Sequence, residues 1–320
     1  MDGVDVQSSA ILVTGATGFV GSALVEALVA RGHDVRALTR NADRYRGPGK
    51  PVAGDVLDPD SLVAALQGVE IAYYLVHSLD SKDFEKRDAA GARSFGRAAA
   101  DAGVKQIIYL GGLGSDAVHL SPHLRSRREV EGILTASGVP VTVLRAAVIV
   151  GAGGVSWEMT RLLVRRLRLM AVPNWATTRS QPIALVDVIR YLVGVAGDER
   201  AIGQVFEIGG RDQLTYVEMM KGAAQAIHGT TVPIIRVPIF RARLVTNTVH
   251  DMSARWIAMI TGVDRTVARN LVESMGTEVV VTDRAIREIV PGEPLSYAEM
   301  VEVALGDLNR ADAAKRTASS

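Results

Sequence analysis

One stretch constrains the fold more than any other: LVTGATGFVGSALVEAL, residues 12–28. AILVTGA reads as a β-strand, and GFVGSALVEALVARG reads as a helix ended by Gly32. Where the two join, Gly15, Gly18 and Gly21 are spaced G-x-x-G-x-x-G. Glycine is required where a backbone bends sharply and where it must approach another group with no Cβ in the way. A first strand that turns straight into a helix through such a bend commits the chain to alternation of strands and helices.

The first half of the chain continues that alternation. HDVRALTR, IAYYLVHS, VKQIIYLGG and VPVTVLRAAVIVG read as strands, and DFEKRDAAGARSFGRAAADAG is a long helix between two of them. Nearly continuous apolar strands separated by helices imply a parallel sheet covered on both faces. Right-handed crossovers then leave an α/β doubly wound sheet of the Rossmann type as the leading topology. After about residue 150 the pattern becomes irregular. EMTRLLVRRLRLM is an amphipathic helix with an apolar stripe of Met159, Leu162, Leu163, Leu167 and Met170, opposite Arg161, Arg165 and Arg168. Sheet vocabulary returns in QPIALVDVIRYLVGV and QVFEIGG. The tail runs through several helices, with Asp283 and Ser296 as N-caps and Ser296 with Glu299 as a capping box. The expected organisation is a flexible N-terminus (1–9), a dinucleotide-binding core (10–155), and a mixed region (156–310). That last region completes the sheet and forms a smaller, mainly helical substrate lobe, and 311–320 is a disordered tail.

Composition excludes several classes. A net charge of +1 gives no bulk signal for nucleic acid, and the absence of cysteine rules out disulfides, thiolate catalysis and cysteine-ligated metal centres. No metal site is expected. No run approaches the ~18 apolar residues of a membrane span, and MDGVDVQSSA lacks the basic start and apolar core of a signal peptide. A soluble cytoplasmic protein is the default expectation.

The glycine turn suits a dinucleotide pyrophosphate, because the helix opening behind it offers free N–H groups and a partial positive charge. A tight strand–helix turn without a ligand is the alternative, and the strand before and helix after favour the nucleotide. The end of the second strand selects the dinucleotide. An acidic side chain there would bind the ribose 2′-hydroxyl of NAD(H), but RALTRN offers Thr39 and Arg40 and no carboxylate between Val35 and Asn41. Arg40 is suited to a 2′-phosphate through its planar, charge-assisted fork, so NADP(H) is preferred and NAD(H) stays open. A solvated charge at a strand end is the bland alternative.

These segments resemble the extended and atypical short-chain dehydrogenase/reductase superfamily over most of the chain. GDVLDPDSLVAALQGVEIAYYLVHS is similar to its strand carrying an adenine-contacting Asp, here Asp55 followed by Val56. AGVKQIIYLGGLGS resembles the strand of the catalytic serine, and VTVLRAAVIVGAG resembles the segment lining the nicotinamide. Within the superfamily the AYYLVHS, HLRSR and LRAAVIVGAG segments resemble the NmrA-like and YbjT-like NAD(P)-binding group. The resemblance implies cofactor contacts from Gly15, Thr17, Gly18, Phe19, Val20, Gly21, Thr39, Arg40, Asp55 and Val56. Leu75, Val76, His77, Arg127, Ala147 and Val148 complete that implied set.

Active members of the superfamily use a Tyr-x-x-x-Lys pair and an upstream Ser for proton transfer. Aligned on SRREVE, this chain has His123 at the tyrosine position, Arg127 at the lysine position and Glu131 in the usual trailing place. The serine position falls near Gly111 or Gly112, and Ser115 is the nearest hydroxyl. A histidine needs no neighbouring cation to exchange protons near neutrality, so His123 is a candidate acid, with Arg127 on the nicotinamide ribose. The Arg127 charge would lower the imidazolium pKa and weaken that acid. A purely structural His123 is the alternative. His77, at the end of the fourth strand, could meet ribose or substrate, or be a plain strand-end histidine. Tyr73, Tyr74 and Tyr109 read as core.

On the substrate side, Trp175 and Arg179 stand in NWATTRSQP, and Met252, Trp256 and Met259 recur at helical spacing. The methionine–tryptophan stripe reads as core or a homodimer contact before it reads as a pocket. If it lines one, the substrate is small and apolar or aromatic. The basic face of the 158–170 helix reads as solvated, and a peripheral membrane contact is not favoured. The expected activity is NADPH-dependent oxidoreduction of a hydrophobic carbonyl, quinone or enone. Its rivals are a non-catalytic NADP(H)-binding redox sensor or regulator and a structural NAD(P)-binding subunit.

Overall fold

The computed structural model describes residues 9–78, 81, 83–114, 120–167, 169–172, 174–231, 233–236 and 243–318. Within these, the side chains of 170, 171, 174, 175, 235, 236, 243–251, 314, 315 and 318 lie outside the description. Six strands, β1 (Ala10–Val13), β2 (Asp34–Thr39), β3 (Lys50–Ala53), β4 (Ile71–Tyr74), β5 (Gln106–Gly112) and β6 (Val141–Ala146), form a parallel sheet with the edge strand Val205–Ile208. The order across the sheet is β3-β2-β1-β4-β5-β6 and then Val205–Ile208, so the winding direction reverses between β1 and β4. The register runs Ala10↔Asp34 to Val13↔Ala37 on one side of β1 and Ile11↔Ile71 to Val13↔Tyr73 on the other. A crevice opens at the carboxyl ends of strands flanking such a reversal.

Alternation along the strands builds one core on each face. Ile11, Val13 and Tyr73 pack with Leu24 and Leu28 of α1 (Phe19–Ala30) and Val188 and Leu192 of α6 (Leu185–Gly194). Leu12, Tyr74 and Tyr109 pack instead with Leu62 of α2 (Pro59–Leu66), Phe95 of α3 (Phe84–Asp101) and Leu134 of α4 (Pro122–Thr135). The tyrosines read as core are core. Tyr73 Oη donates to the Leu192 carbonyl and Tyr109 Oη to the Arg127 carbonyl, so neither buried phenol is left without an acceptor.

The second region forms the lobe above the carboxyl ends. It contains α5 (Val155–Arg166), α7 (Tyr216–His228), α8 (Arg243–Thr261), α9 (Arg265–Ser274) and the C-terminal helix Tyr297–Ala318. Trp157, Tyr216, Met219, Ala223, Tyr297 and Met300 make one small core there, and Met159, Leu163, Ala254, Ile257 and Val272 make another.

The structure differs from the sequence expectations at several places. QPIALVDVIRYLVGV is a two-residue strand followed by α6, because Val188, Tyr191 and Leu192 recur at helical spacing and are buried. VPVTVLRAAVIVG is not one strand. β6 ends at Ala146, and Ile149–Val150 pairs with Ile183–Ala184 outside the main sheet. Residues 311–318, expected to be disordered, continue the C-terminal helix to Ala318. That helix starts at the expected capping box, with Ser296 and Glu299 exchanging backbone and side-chain bonds. Asp283 caps only a turn, accepting from the Ala285 N–H ahead of the short helix Ile286–Ile289.

Candidate functional site

The turn after β1 is built as the glycine spacing requires. Gly15 has φ +65°, in the left-handed region, and a Cβ there would sit 3.1 Å from the Leu75 carbonyl oxygen. A Cβ at Gly21 would fall 2.1 Å from the Gly15 carbonyl oxygen, so the third glycine lets α1 close on the turn. Thr14, unnoticed in the sequence, pins the bend to β4. Its N–H donates to the Tyr73 carbonyl, and its Oγ1 accepts the Leu75 N–H at 2.9 Å.

A cavity of about 620 Å³ lies at the carboxyl ends of β1, β2 and β4. Gly15, Thr17, Gly18, Thr39, Arg40, Asp55, Val56, Leu75, Val76 and His77 line it, all on the expected list. Arg40 is exposed there, and among the described residues no carboxylate pairs with it. Arg87, an exposed residue of α3 not anticipated, adds a second cation to the same wall. The Asp55 carboxylate is fixed by the Leu57 N–H at 3.0 Å. Val20 lines neither this cavity nor the next; it packs against the core under α1.

A second cavity of about 490 Å³ adjoins the first and shares His77 with it. Its walls are mostly apolar: Phe19, Leu110, Leu113, Ala147, Val148 and Ile149, with Val267, Leu271 and Met275 contributed by the α9 region of the lobe. Phe19 occupies a notch left by two glycines, since a Cβ at Gly154 would come within 2.8 Å of its ring.

His123 and Arg127 also line this second cavity. Ser121 caps α4 by accepting the Leu124 N–H, which fixes the first turn bearing His123. The residue is half-buried, with its Nδ1 shut off from solvent, and among the described residues that nitrogen has no hydrogen-bond partner. Its pKa lies well below the ordinary histidine value, chiefly through burial, then through His77, and only third through Arg127. The sequence reading named Arg127 as the cause; desolvation is the larger one. Arg127 turns back on β5. It donates to the Leu110 carbonyl and lies 5.2 Å from the Tyr109 ring centroid. At the serine position, a Cβ on Gly112 would meet Leu124 at 2.8 Å, so a side chain there would displace Leu124.

Asp88 was missed in the sequence. It lies on the buried side of α3 with Phe84, Gly91 and Phe95, and an acid among apolar neighbours at helical spacing was the available signal. Its Oδ2 is 2.8 Å from His77 Nδ1, and its Oδ1 accepts the Ser78 N–H at 2.9 Å. Ser126 Oγ donates to Oδ2 at 3.4 Å. Burial opposes ionisation of Asp88, but the His77 bond and charge and the Ser78 N–H outweigh it, holding the carboxyl below the usual range. The His77 and His123 rings stand 4.9 Å apart.

Three expected substrate residues are not brought to either cavity. Arg179 is exposed and donates to Gln213 Oε1 at 2.6 Å. Met252 and Trp256 are 65% and 39% exposed on the outer side of α8, with Met259 beside them, so the stripe is not core either. The buried side of that helix is formed by Ala254 and Ile257. Ser115 and the Trp175 side chain lie outside the described residues.

A reversing parallel sheet, a left-handed glycine at its crevice and a helix N-terminus behind it define a dinucleotide-binding α/β protein. Residues 15–161, a little under half of the chain, match the family described as NAD(P)H-binding. It is 26% identical over 247 residues to the photosystem II assembly factor Ycf39 of Cyanophora paradoxa, covering 74% of each chain. It is 29% identical over 242 residues to a ceramide reductase of Caulobacter vibrioides, covering 71% of this chain and 73% of that one. Among solved structures, an NADPH-dependent quinone oxidoreductase of Escherichia coli in complex with NADPH superposes with a TM-score of 0.72. That likeness is at 20% identity and covers 91% of this chain and 98% of the other. No helix among the described residues is long and apolar enough to cross a membrane.

Proposed function

We propose that the protein is an NADPH-dependent oxidoreductase acting on a small hydrophobic carbonyl compound, quinone or enone. The observation that carries this is the apolar 490 Å³ cavity continuing directly from the dinucleotide cleft, with His77 in the shared wall and His123 inside. The residues present fit the dinucleotide: Gly15 leaves room that a Cβ would fill, and the opening of α1 presents N–H groups to the pyrophosphate. Thr39 and Arg40 are suited to the 2′-phosphate, with Arg87 on the same wall. Asp55 and Val56 would border the adenine end. NADPH, when bound, supplies a hydride.

The chain's own part is to exclude water and to handle the proton. Phe19, Leu113, Val148, Leu271 and Met275 favour an apolar substrate with few polar anchors. His123 is neutral at pH 7 because burial disfavours its charged form, so it serves as a hydrogen-bond partner for the substrate oxygen and not as a cationic acid. The ceramide reductase and quinone oxidoreductase likenesses agree with reduction of an apolar compound.

A second reading, a non-catalytic NADP(H)-binding sensor or structural factor, is favoured by one observation. The three positions that carry proton transfer in relatives hold Gly111 or Gly112, His123 and Arg127. The likeness to an assembly factor points the same way. NADPH consumption against a panel of quinones, enones and ketones separates the two. Turnover of at least one class is expected, with His123→Phe slower by about 10-fold, the value of one lost hydrogen bond. Tight NADP⁺ binding with no turnover of any acceptor would establish the sensor instead.

A further inference from the structure

We propose that Arg87 is the second cationic arm of a divided clamp for an adenosine 2′-phosphate, meeting from α3 the group that Arg40 meets from the end of β2. The assignment rests on the reading of the first cavity as an NADP(H) site, and not on turnover.

The charges lining that cavity are unevenly satisfied. Its carboxylates are Asp55 and Asp88, and the chain itself holds both. Asp55 accepts the Leu57 N–H at 3.0 Å. Asp88 accepts the Ser78 N–H at 2.9 Å and Ser126 Oγ at 3.4 Å, and His77 Nδ1 lies 2.8 Å from it. The permanent cations of the lining are Arg40 and Arg87, and both are exposed. Among the described residues neither makes an ion pair, although Asp83 stands four residues before Arg87. Glu85, the other acid at this end of α3, is turned to Arg125 at 3.4 Å. A wall whose acids are held by the chain and whose two guanidinium groups are not is arranged for an anion.

Position separates Arg87 from the other cations of α3. Lys86 is exposed but does not line the cavity, and Arg93 and Arg97 line a different groove beside α2. One turn on from Arg87, α3 passes close to the chain that follows Asp55. A Cβ at Gly91 would stand 3.0 Å from Val56 Cγ2 and 3.0 Å from Tyr74 Oη. Residues four apart share one side of a helix. Arg87 therefore rises from the side of α3 that packs on Val56, at the adenosine end. Asp88, next in the chain, turns toward His77 and α4 instead.

The charge of the ligand calls for two arms. The opening of α1 serves the pyrophosphate. A phosphate monoester adds about 1.5 to 2 negative charges at pH 7, with a second pKa of about 6. Arg40 balances one of these charges, and Arg87 balances the other. Two cations favour the dianion, so the bound 2′-phosphate has its second pKa below that of the free ligand. Affinity is then level above about pH 6 and falls as pH drops below it.

Calorimetric titration of the full-length protein tests this with two ligand pairs that differ only in the 2′-phosphate: 2′,5′-ADP with 5′-AMP, and NADP⁺ with NAD⁺. At pH 7.5, Arg87→Gln should weaken the 2′-phosphorylated member of each pair about 10-fold and the other by less than about 2-fold. Arg87→Lys keeps the charge without the fork and should recover part of the loss. At pH 5 the Arg87→Gln penalty on 2′,5′-ADP should shrink to about 3-fold, because a monoanion needs only one cation. Unchanged binding in Arg87→Gln overturns the proposal. So do equal losses within each pair, which would place Arg87 on the pyrophosphate or the adenine. Phosphorus NMR of 2′,5′-ADP bound to the parent protein needs no variant to fold. Its 2′-phosphate should titrate below about 6, and an unshifted or raised value removes the clamp. A parent protein that binds neither pair ends the dinucleotide reading and the clamp together. If the expected pattern appears and no acceptor is turned over, the oxidoreductase reading fails and the clamp stands.

Discussion

At the scale of single residues, side chains the sequence could name and side chains it could not now face the same cleft. Arg40 could be named because its position, at the end of the second strand, follows from the alternation of elements. The 2′-phosphate role proposed for it gives a direct prediction: Arg40→Asp should raise the Kd for NADPH about 10- to 100-fold, the range of charge-assisted hydrogen bonds. NADH binding should change by less than a few-fold, as measured by quenching of protein fluorescence. Equal losses for both would remove the 2′-phosphate assignment. Thr14 and Asp88 could not be named with comparable ease. Thr14 acts on Leu75, 61 residues away, and Asp88 acts on a histidine on a different element. Such pairs are fixed only when the sheet order is fixed. His123 was legible as a residue and in the direction of its pKa shift, but not in the chief cause, because its desolvation depends on α9, which closes the cavity from far along the chain.

At the scale of elements, strand identity followed period and composition where a run was apolar throughout, as in β1, β4 and β5. It failed where an apolar run was short and helix-compatible, as at Leu185–Gly194, since continuous apolar runs do not separate a buried strand from a buried helix. The strand before Asp55 was anticipated only by resemblance and placed a few residues late; it spans Lys50–Ala53, an edge strand whose exposed start carries little apolar signal. The stripe Met252, Trp256 and Met259 was read from its spacing as core or a homodimer contact; it is not core, since the small Ala254 with Ile257 faces inward. α4 carries both replacements of the missing proton-transfer pair, and two contacts fix it. Ser121→Ala should cost about 1 kcal/mol through loss of the N-cap. Glu131 accepts Arg145 Nε at 3.1 Å and Arg128 Nη1 at 3.2 Å, tying α4 to β6. Glu131→Ala leaves two partly buried guanidinium groups without that acceptor and should cost about 2–3 kcal/mol. Urea unfolding at pH 7 measures both, and a Glu131→Ala loss below that of Ser121→Ala would show that the tie is not structural.

At the scale of the whole molecule, the second cavity is where the sheet and the lobe meet, so burial of His123 is a property of their docking. Ser121 Oγ and Ser274 Oγ approach to 3.5 Å across that junction, and Leu271 and Met275 close over α4. The consequence appears in the pH dependence of stability. His123 has a folded pKa below its unfolded value of about 6.5. Between those two values the unfolded chain therefore binds the extra proton, and stability rises with pH through that window and is level above it. Asp88, a carboxyl with a depressed folded pKa, loses its contribution only at lower pH, as pH falls through that folded value. Acidification from pH 7 to 5.5 should thus act through His123 before it acts on Asp88. His123→Phe removes the proton that unfolding takes up, and should reduce the stability lost over that interval by up to about 1.4 kcal/mol, one pH unit of linkage. The His33→Gln variant serves as the comparison, because His33 also has a lowered pKa but lies at the opposite end of the sheet, before β2. If His123→Phe and the parent protein lose equal stability between pH 7 and 5.5, His123 is hydrated in solution and the lobe does not seal the cavity. A smaller loss in His123→Phe means that the docked lobe keeps water from the ring, as the proposed reduction of an apolar substrate beside it requires.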